Sequence, residues 1–213
     1  MKLYLIRHGE STGNLAGRIQ GTDDYPLSEL GKQQAEYVAD YFSDIHLDFI
    51  YSSDLTRASD TAKAIARKKN QTVNEWDKVR EVHLGPLQGL TRAEITMKFP
   101  ETVENSILTS GVEGTESVDE LTARCQYIVE QLQLAHRNHD VAIISHGGFI
   151  SIFLMYLIAG DQWHTLHRPF QIGNTSVSFI EWPKKQDKPL IHFVNQVSHL
   201  DPIVDKKKNH GLL

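Results

Sequence analysis

The stretch Leu3-Tyr4-Leu5-Ile6-Arg7-His8-Gly9-Glu10 decides how the chain folds. A short apolar run of this kind reads as a buried strand, and packing does not explain why it ends in a cation, an imidazole and a glycine. The chain repeats the device at Val141-Ala142-Ile143-Ile144-Ser145-His146-Gly147-Gly148. In an open α/β sheet, ligands lie at the carboxyl ends of the strands, so two parallel strands ending in histidine bring both imidazoles to one crevice. The predicted fold class is α/β: a mostly parallel sheet with helices on both faces.

Outward from these strands, residues 9 to 27 form a long polar loop, of a length that usually serves function. Ser28 caps a helix whose apolar face includes Leu30, Tyr37, Val38, Tyr41 and Phe42. A strand is predicted over Asp48 to Ser52, a helix over Asp54 to Lys69 and a short strand over Thr72 to Trp76. Thr91-Arg92-Ala93-Glu94 and Ser117-Val118-Asp119-Glu120 are capping-box patterns, the first opening a short helix and the second a longer one to Arg137. Between them, Glu101 to Glu116 has little periodicity and reads as a flap or loop. After the second histidine strand come an apolar helix to Ile158 and irregular chain from Gly160 to Pro169. A terminal strand pair, Asn174 to Trp182 and Pro189 to Val197, precedes a polar tail from Asp205. No linker interrupts the pattern, so residues 1–213 are expected to form one domain.

Totals narrow the function classes. With 22 basic and 27 acidic residues the net charge is −5, which supplies no global field for nucleic acid or an anionic membrane surface; any bound anion must be held by local cations. Cys125 is the sole cysteine and falls in a helical pattern, which excludes an internal disulfide and a cysteine metal cluster. The apolar stretch Phe149 to Ala159 is about half a bilayer span. Only Leu3 to Ile6 precede Arg7, short of a signal-peptide core of roughly 7–15 residues. The expectation is a cytoplasmic protein without nucleic-acid or membrane partners; the sequence assigns no oligomeric state.

The chemistry-bearing residues are Arg7, His8, Asn14, Arg57, Glu81 and His146. Two guanidiniums supply forked donors that match a phosphate. Arg57 follows Asp54-Leu55-Thr56 at the start of a helix, where the dipole penalises a cation; a bound anion would resolve the conflict. Gly147-Gly148 opens a helix whose backbone N–H groups are expected to turn toward an anion. Taken singly, each of these residues has a plainer reading as a surface or satisfied polar group, and it is the paired strand-His-Gly units that shift the balance. His136 and His139 sit at a helix C-terminus where the dipole favours them, and His164 and His167 lack an acidic or cysteine partner, so no metal site is assigned. Ser145 is not in a Gly-x-Ser-x-Gly elbow, and no dinucleotide or Walker motif follows either strand.

As a set, these residues are recognisable. Leu5-Ile6-Arg7-His8-Gly9-Glu10-Ser11 with Asn14, Gly17-Arg18-Ile19-Gln20-Gly21, Ser52-Ser53-Asp54-Leu55-Thr56-Arg57-Ala58, Arg80-Glu81 before Leu84-Gly85, and Ser145-His146-Gly147-Gly148 resemble the motifs of the histidine phosphatase superfamily, the phosphoglycerate mutase-like group. The resemblance implies that His8 is the nucleophile that forms a phosphohistidine and that Arg7, Arg57 and His146 bind the transferring phosphate. It also implies that Asn14, Gln20, Gly21 and Gly147 contribute to substrate binding, and that Glu81 donates the proton. It implies no metal and no organic cofactor.

Mutases of this group carry a Ser-Gly where this chain has Gln20-Gly21, an Asn-Lys after the glutamate, and a later arginine pair. Here Leu84 to Thr91 has no Asn-Lys, and Glu101 to Glu116 has no arginine. The expected function is hydrolysis of small phosphomonoesters through phosphohistidine at His8. The alternatives are a phosphoglycerate mutase and a non-catalytic module that binds a phospholigand. One departure stands out: Gly13 replaces the tryptophan common just before the asparagine, which predicts a wider pocket mouth or a more mobile loop.

Overall fold

The computed structural model describes residues 1–103, 106–166, 169–184, 186 and 188–203. His167 and the polar tail from Asp205 lie outside the described residues. The first strand, β1 (Lys2–Arg7), occupies the interior of a six-stranded sheet. It is followed by α1 (Thr12–Leu15), α2 (Glu29–Tyr41), β2 (Phe49–Ser52), α3 (Thr56–Lys69) and β3 (Val73–Glu75). Then come α4 (Arg92–Lys98), α5 (Val118–His136), β4 (Asp140–Ser145), α6 (Gly147–Ala159), β5 (Val177–Glu181) and β6 (Leu190–Gln196).

The sheet order is β3-β2-β4-β1-β5-β6. The pairs β3–β2, β2–β4 and β4–β1 are parallel, whereas β5 runs antiparallel to both β1 and β6. This is the mostly parallel sheet predicted. Alternation along β1 sorts its side chains between two cores, because successive residues of a strand face opposite sides. Leu3 and Leu5 pack with α5 and α6 residues such as Ile128, Leu132, Ile150 and Leu154. Tyr4 and Ile6 pack on the other face with Val38 of α2, Phe42 just past its end, and Ala62 and Ile65 of α3. The apolar α6 is buried from Gly147 through Met155, which explains its lack of a polar stripe. No helix of the described residues is long and apolar enough to cross a membrane.

Register positions the site. Arg7 on β1 pairs with Ser145 on β4, and the His8 N–H donates to the Ser145 carbonyl at 2.9 Å, so the two histidines that follow leave the sheet side by side. Both predicted capping boxes form, at Thr91/Glu94 and Ser117/Glu120, and Ser28 caps α2 by accepting the Gly31 N–H.

Several boundaries differ from expectation. The long polar loop contains α1, a single turn with its own capping box between Ser11 and Asn14, too short to leave a periodic signal. The helix predicted from Asp54 begins at Thr56, because the Asp54 carboxylate turns to Arg80 instead: Arg80 Nε donates to Oδ1 at 2.6 Å and Nη2 donates to Oδ2. Asp24, from the polar loop, takes over the cap and accepts from the Thr56 backbone N–H at 2.8 Å. The strand predicted from Asn174 starts at Val177, because Thr175 holds φ 52°, a left-handed conformation that a β-branched residue cannot carry into a strand.

Candidate active site

Burial accompanies charge at the carboxyl edge of the sheet. Arg7, His8, Arg57 and His146 are each no more than 3% exposed, an arrangement that costs free energy unless the groups are held and used. Two elements bring the histidines together, β1 and β4, and their rings lie 5.1 Å apart between centroids at a 58° tilt. The N-terminal end of α3 supplies Arg57, and the chain after β3 supplies Glu81.

The His8 ring is fixed from one side. Its Nδ1 lies 2.6 Å from the Gly9 carbonyl, and because a carbonyl only accepts, Nδ1 carries the proton and Nε2 keeps the lone pair. Its imidazolium is disfavoured, first by burial and then by the Arg57 and Arg7 charges, so its pKa lies well below the ordinary 6.5. His146 is lowered in the same way, by burial and then by Arg57, His8, Arg7 and Arg124. Neither ring nitrogen of His146 has a hydrogen-bond partner among the described residues. A buried imidazole with two unsatisfied nitrogens asks for a ligand.

These shifts have a sign in solution. In the unfolded chain both histidines take up a proton near pH 6.5, whereas in the folded protein they stay neutral to lower pH. Stability is therefore present above pH 6.5 and falls as the pH drops toward the lowered folded values, by up to about 1.4 kcal/mol per pH unit for each histidine. Urea unfolding between pH 7.5 and 5 checks this; a flat profile across that window would contradict the neutral pair.

Arg57 resolves its conflict with the helix dipole partly within the chain. Nη1 donates to the Asp23 carbonyl and Nη2 to the Gly21 carbonyl, each at 2.7 Å, tying the polar loop to the site, while Nε has no partner among the described residues. Arg7 Nη1 donates to the Ile172 carbonyl at 2.6 Å.

Glu81 is held by three backbone donors. Val82 N–H reaches Oε1 at 3.0 Å, Phe149 N–H reaches Oε1 at 2.8 Å and Gly148 N–H reaches Oε2 at 3.1 Å. The N-terminal amides of α6 were expected to face a bound anion. At Gly148 and Phe149 the anion is the chain's own carboxylate, which serves as the cap that His146 does not provide. Gly148 has no room for a side chain, since a Cβ there would lie 2.8 Å from Glu81 Oε1 and 2.9 Å from Leu108 Cδ2.

A cavity of about 20 Å³, the room of a single water, is lined by Arg7, His8, Asn14, Gln20, Arg57 and Glu81. Gly21 also lines it. Neither His146 nor Gly147 is among its lining residues; the His146 ring stands 5.1 Å from the His8 ring, and Gly147 is buried at the start of α6.

The sequence reading missed three contributors. Arg18 reaches the cavity wall and donates through Nη1 to the Gly89 carbonyl. Leu108, on a 3₁₀ turn in the expected flap, closes the cavity beside Glu81. Asn174 donates through Nδ2 to the His8 carbonyl at 3.1 Å and to Asn14 Oδ1 at 3.3 Å. Arg18 lies in the quoted motif over residues 17–21, and Asn174 lies in the stretch Asn174-Thr175-Ser176 that the family resemblance also covers, though the sequence assigns neither a role; Leu108 enters from a segment without a local pattern. A wider cleft of about 500 Å³ shares Glu81 and is walled by Thr22, His83, Glu116 and Arg124 among others, with no apolar side chain among its lining residues.

Other sequence candidates fall away from the site. His136 bonds the Tyr51 hydroxyl at 2.9 Å within an aromatic cluster with Phe49 and His139, and exposed His164 lies 3.1 Å from the Asp161 carbonyl. No group of three metal-ligating side chains occurs among the described residues. Ser145 Oγ donates to the Val79 carbonyl, and Cys125 is buried with its thiol pushed up to about 12.

Comparison with known proteins places this geometry. Residues 3–196 match the sequence profile of the histidine phosphatase superfamily (branch 1). The chain is 34% identical over 211 residues to a metal-independent phosphoserine phosphatase of Arabidopsis thaliana, covering 95% of this chain and 84% of that one. It is 35% identical over 207 residues to phosphoglycerate mutase-like protein 4 of the same plant, covering 94% and 87%. Among solved structures, a mycobacterial glucosyl-3-phosphoglycerate phosphatase complexed with VO3 superposes with a TM-score of 0.81 at 28% identity, covering 92% of this chain and 99% of that one.

Proposed function

The chain belongs to the histidine phosphatase superfamily, and from that premise we propose that it is a metal- and cofactor-independent phosphatase that hydrolyses small phosphomonoesters through a phosphohistidine at His8. The observation that carries the reading is the His8 ring itself. Its Nδ1 proton is committed to the Gly9 carbonyl, and the ring lines a cavity walled by two buried guanidiniums. A neutral imidazole so oriented is a competent nucleophile toward phosphorus.

In the first step Nε2 attacks phosphorus, the P–O bond to the alcohol breaks, and the departing oxygen receives the proton that the Glu81 carboxylate takes up as the dianionic ester enters beside it. Arg7, Arg57 and His146 stabilise charge on the equatorial oxygens. In the second step Glu81, now a carboxylate, takes a proton from water as that water attacks the phosphohistidine. The N–P bond breaks, inorganic phosphate leaves and His8 returns to neutral.

The relatives named for phosphoserine and glucosyl-3-phosphoglycerate put these esters first on a substrate panel. The hydrolytic reading is favoured over mutase chemistry because the described residues of the 101–116 segment bring Leu108, not a second cation, to the cavity. The test is a panel of phosphorylated metabolites assayed for phosphate release and for isomerisation, with trapping of an acid-labile phosphoenzyme. Isomer formation without phosphate release would overturn it.

Arg57→Ala is expected to weaken inhibition by orthovanadate by about 10²-fold and to raise KM, because it removes a buried fork of charged donors and frees the Gly21 and Asp23 carbonyls together. Unchanged inhibition would remove Arg57 from the anion site.

A further inference from the structure

Two amide side chains line the cavity, and each has its oxygen turned away from it. Asn14 Oδ1 accepts from the Ser11 backbone N–H at 3.1 Å, from Ser11 Oγ at 3.0 Å and from Asn174 Nδ2 at 3.3 Å. Gln20 Oε1 lies 2.7 Å from Ser11 Oγ. An amide whose oxygen is committed in this way presents its NH₂ group to whatever lies on the other side. Both side chains are 7% exposed, and both line the same cavity as His8 and Arg57.

The common partner is Ser11, which is fully buried. Its hydroxyl accepts the Asn14 backbone N–H at 3.1 Å, capping α1, and its single proton is shared between the two amide oxygens. Gln20 reaches this hydroxyl across position 13. A Cβ on Gly13 would lie 2.6 Å from Gln20 Cδ and 2.7 Å from Cγ, closer than real contacts allow. The glycine that replaces the bulky residue expected there is thus the space in which Gln20 lies, filled from inside and not left open.

We propose that Ser11 and Gly13 are positioning residues for oxyanion binding: the Ser11 hydroxyl and the bare position 13 together hold Asn14 and Gln20 with their NH₂ groups facing the phosphate. The inference rests on the proposed phosphate site and adds four N–H donors to its cations. Pre-set donors need no reorganisation when charge develops, which is where such groups gain their effect. Without the hydroxyl, Gln20 loses the donor that holds its oxygen and can turn that oxygen toward the incoming anion, converting attraction into repulsion, while Asn14 keeps the Ser11 backbone N–H and Asn174 Nδ2 and loses one of its three donors.

The test reads inhibition by orthovanadate and inorganic phosphate together with kcat/KM for a phosphomonoester the wild type hydrolyses. Ser11→Ala is expected to weaken both inhibitors and lower kcat/KM by about tenfold, the worth of one or two hydrogen bonds to a charged group. In the Asn14→Ala/Gln20→Ala background the same substitution should change them by less than about twofold, since its partners are gone. A full tenfold loss in that background would mean that Ser11 acts through the fold, and the proposal falls.

Gly13→Ala tests the site without touching Ser11, and it decides the matter if Ser11→Ala does not fold. Its Cβ must push Gln20 off the Ser11 hydroxyl, so vanadate inhibition should weaken to the level of Gln20→Ala and Tm should fall about as far as in that variant. In a Gln20→Ala background Gly13→Ala should cost nothing further. Equal inhibition of Gly13→Ala and wild type overturns the proposal. If the wild type itself is insensitive to both oxyanions and forms no phosphoenzyme, the failure lies with the phosphate site and not with Ser11.

Discussion

Replacing His8 by alanine is expected to abolish turnover, by at least about 10⁴-fold, and to remove the acid-labile phosphoenzyme in the same variant. The size follows from what the ring supplies. It is the nucleophile of a two-step transfer, and neither Arg7 nor Arg57 can replace it, since a guanidinium has no lone pair to offer. Fold should survive, because the substitution leaves the His8 backbone N–H on the Ser145 carbonyl and the strand register intact. Binding of vanadate need not vanish with turnover, because the guanidiniums and amides remain. Rapid-quench measurement with labelled substrate, alongside vanadate titration, checks all three points. Substantial phosphate release by the variant would refute covalent transfer through this residue.

Glu81→Gln is expected to slow poor leaving groups by about 10²–10⁴-fold and activated aryl phosphates far less, because a nitrophenolate departs without a proton. A stability cost accompanies the kinetic one. The carboxylate accepts the Val82, Gly148 and Phe149 amides and stands where the dipole of α6 favours a negative charge, whereas glutamine keeps one acceptor and turns an NH₂ toward amide donors. A loss of about 1–2 kcal/mol in unfolding free energy is expected. The informative comparison is therefore the ratio of kcat values for the two ester types, in which the stability term cancels. Equal slowing of both would assign Glu81 to capping α6 and remove it from proton transfer.

Much of this site was legible before any coordinates. Arg7-His8-Gly9 and Ser145-His146-Gly147 each break an apolar run, and a polar group that ends a buried strand has few reasons to be there. Ser28, Thr91/Glu94 and Ser117/Glu120 announced their helices because caps are local hydrogen bonds between residues three apart. Asp54 did not behave as the start of a helix, because an arginine 26 positions away offered it two charge-assisted bonds. Leu108 carried no local sign either, since it reaches the cavity from a segment whose path is set by what it packs against, and near neighbours do not tell that Asn174 bonds the His8 carbonyl and Asn14.

The sequence by itself determined the two apolar strands that end in histidine, the mostly parallel sheet with helices on both faces, and the arginines at position 7 and at the start of the helix after the second strand. Those signals are written in near neighbours, where spacing alone fixes which face a side chain takes. Only the tertiary structure decided that the amides of Gly148 and Phe149 hold Glu81, that Arg57 spends two donors on the Gly21 and Asp23 carbonyls, and that Ser11 turns Asn14 and Gln20. A buried donor must find an acceptor, but which one it finds depends on segments that meet only after the chain has closed.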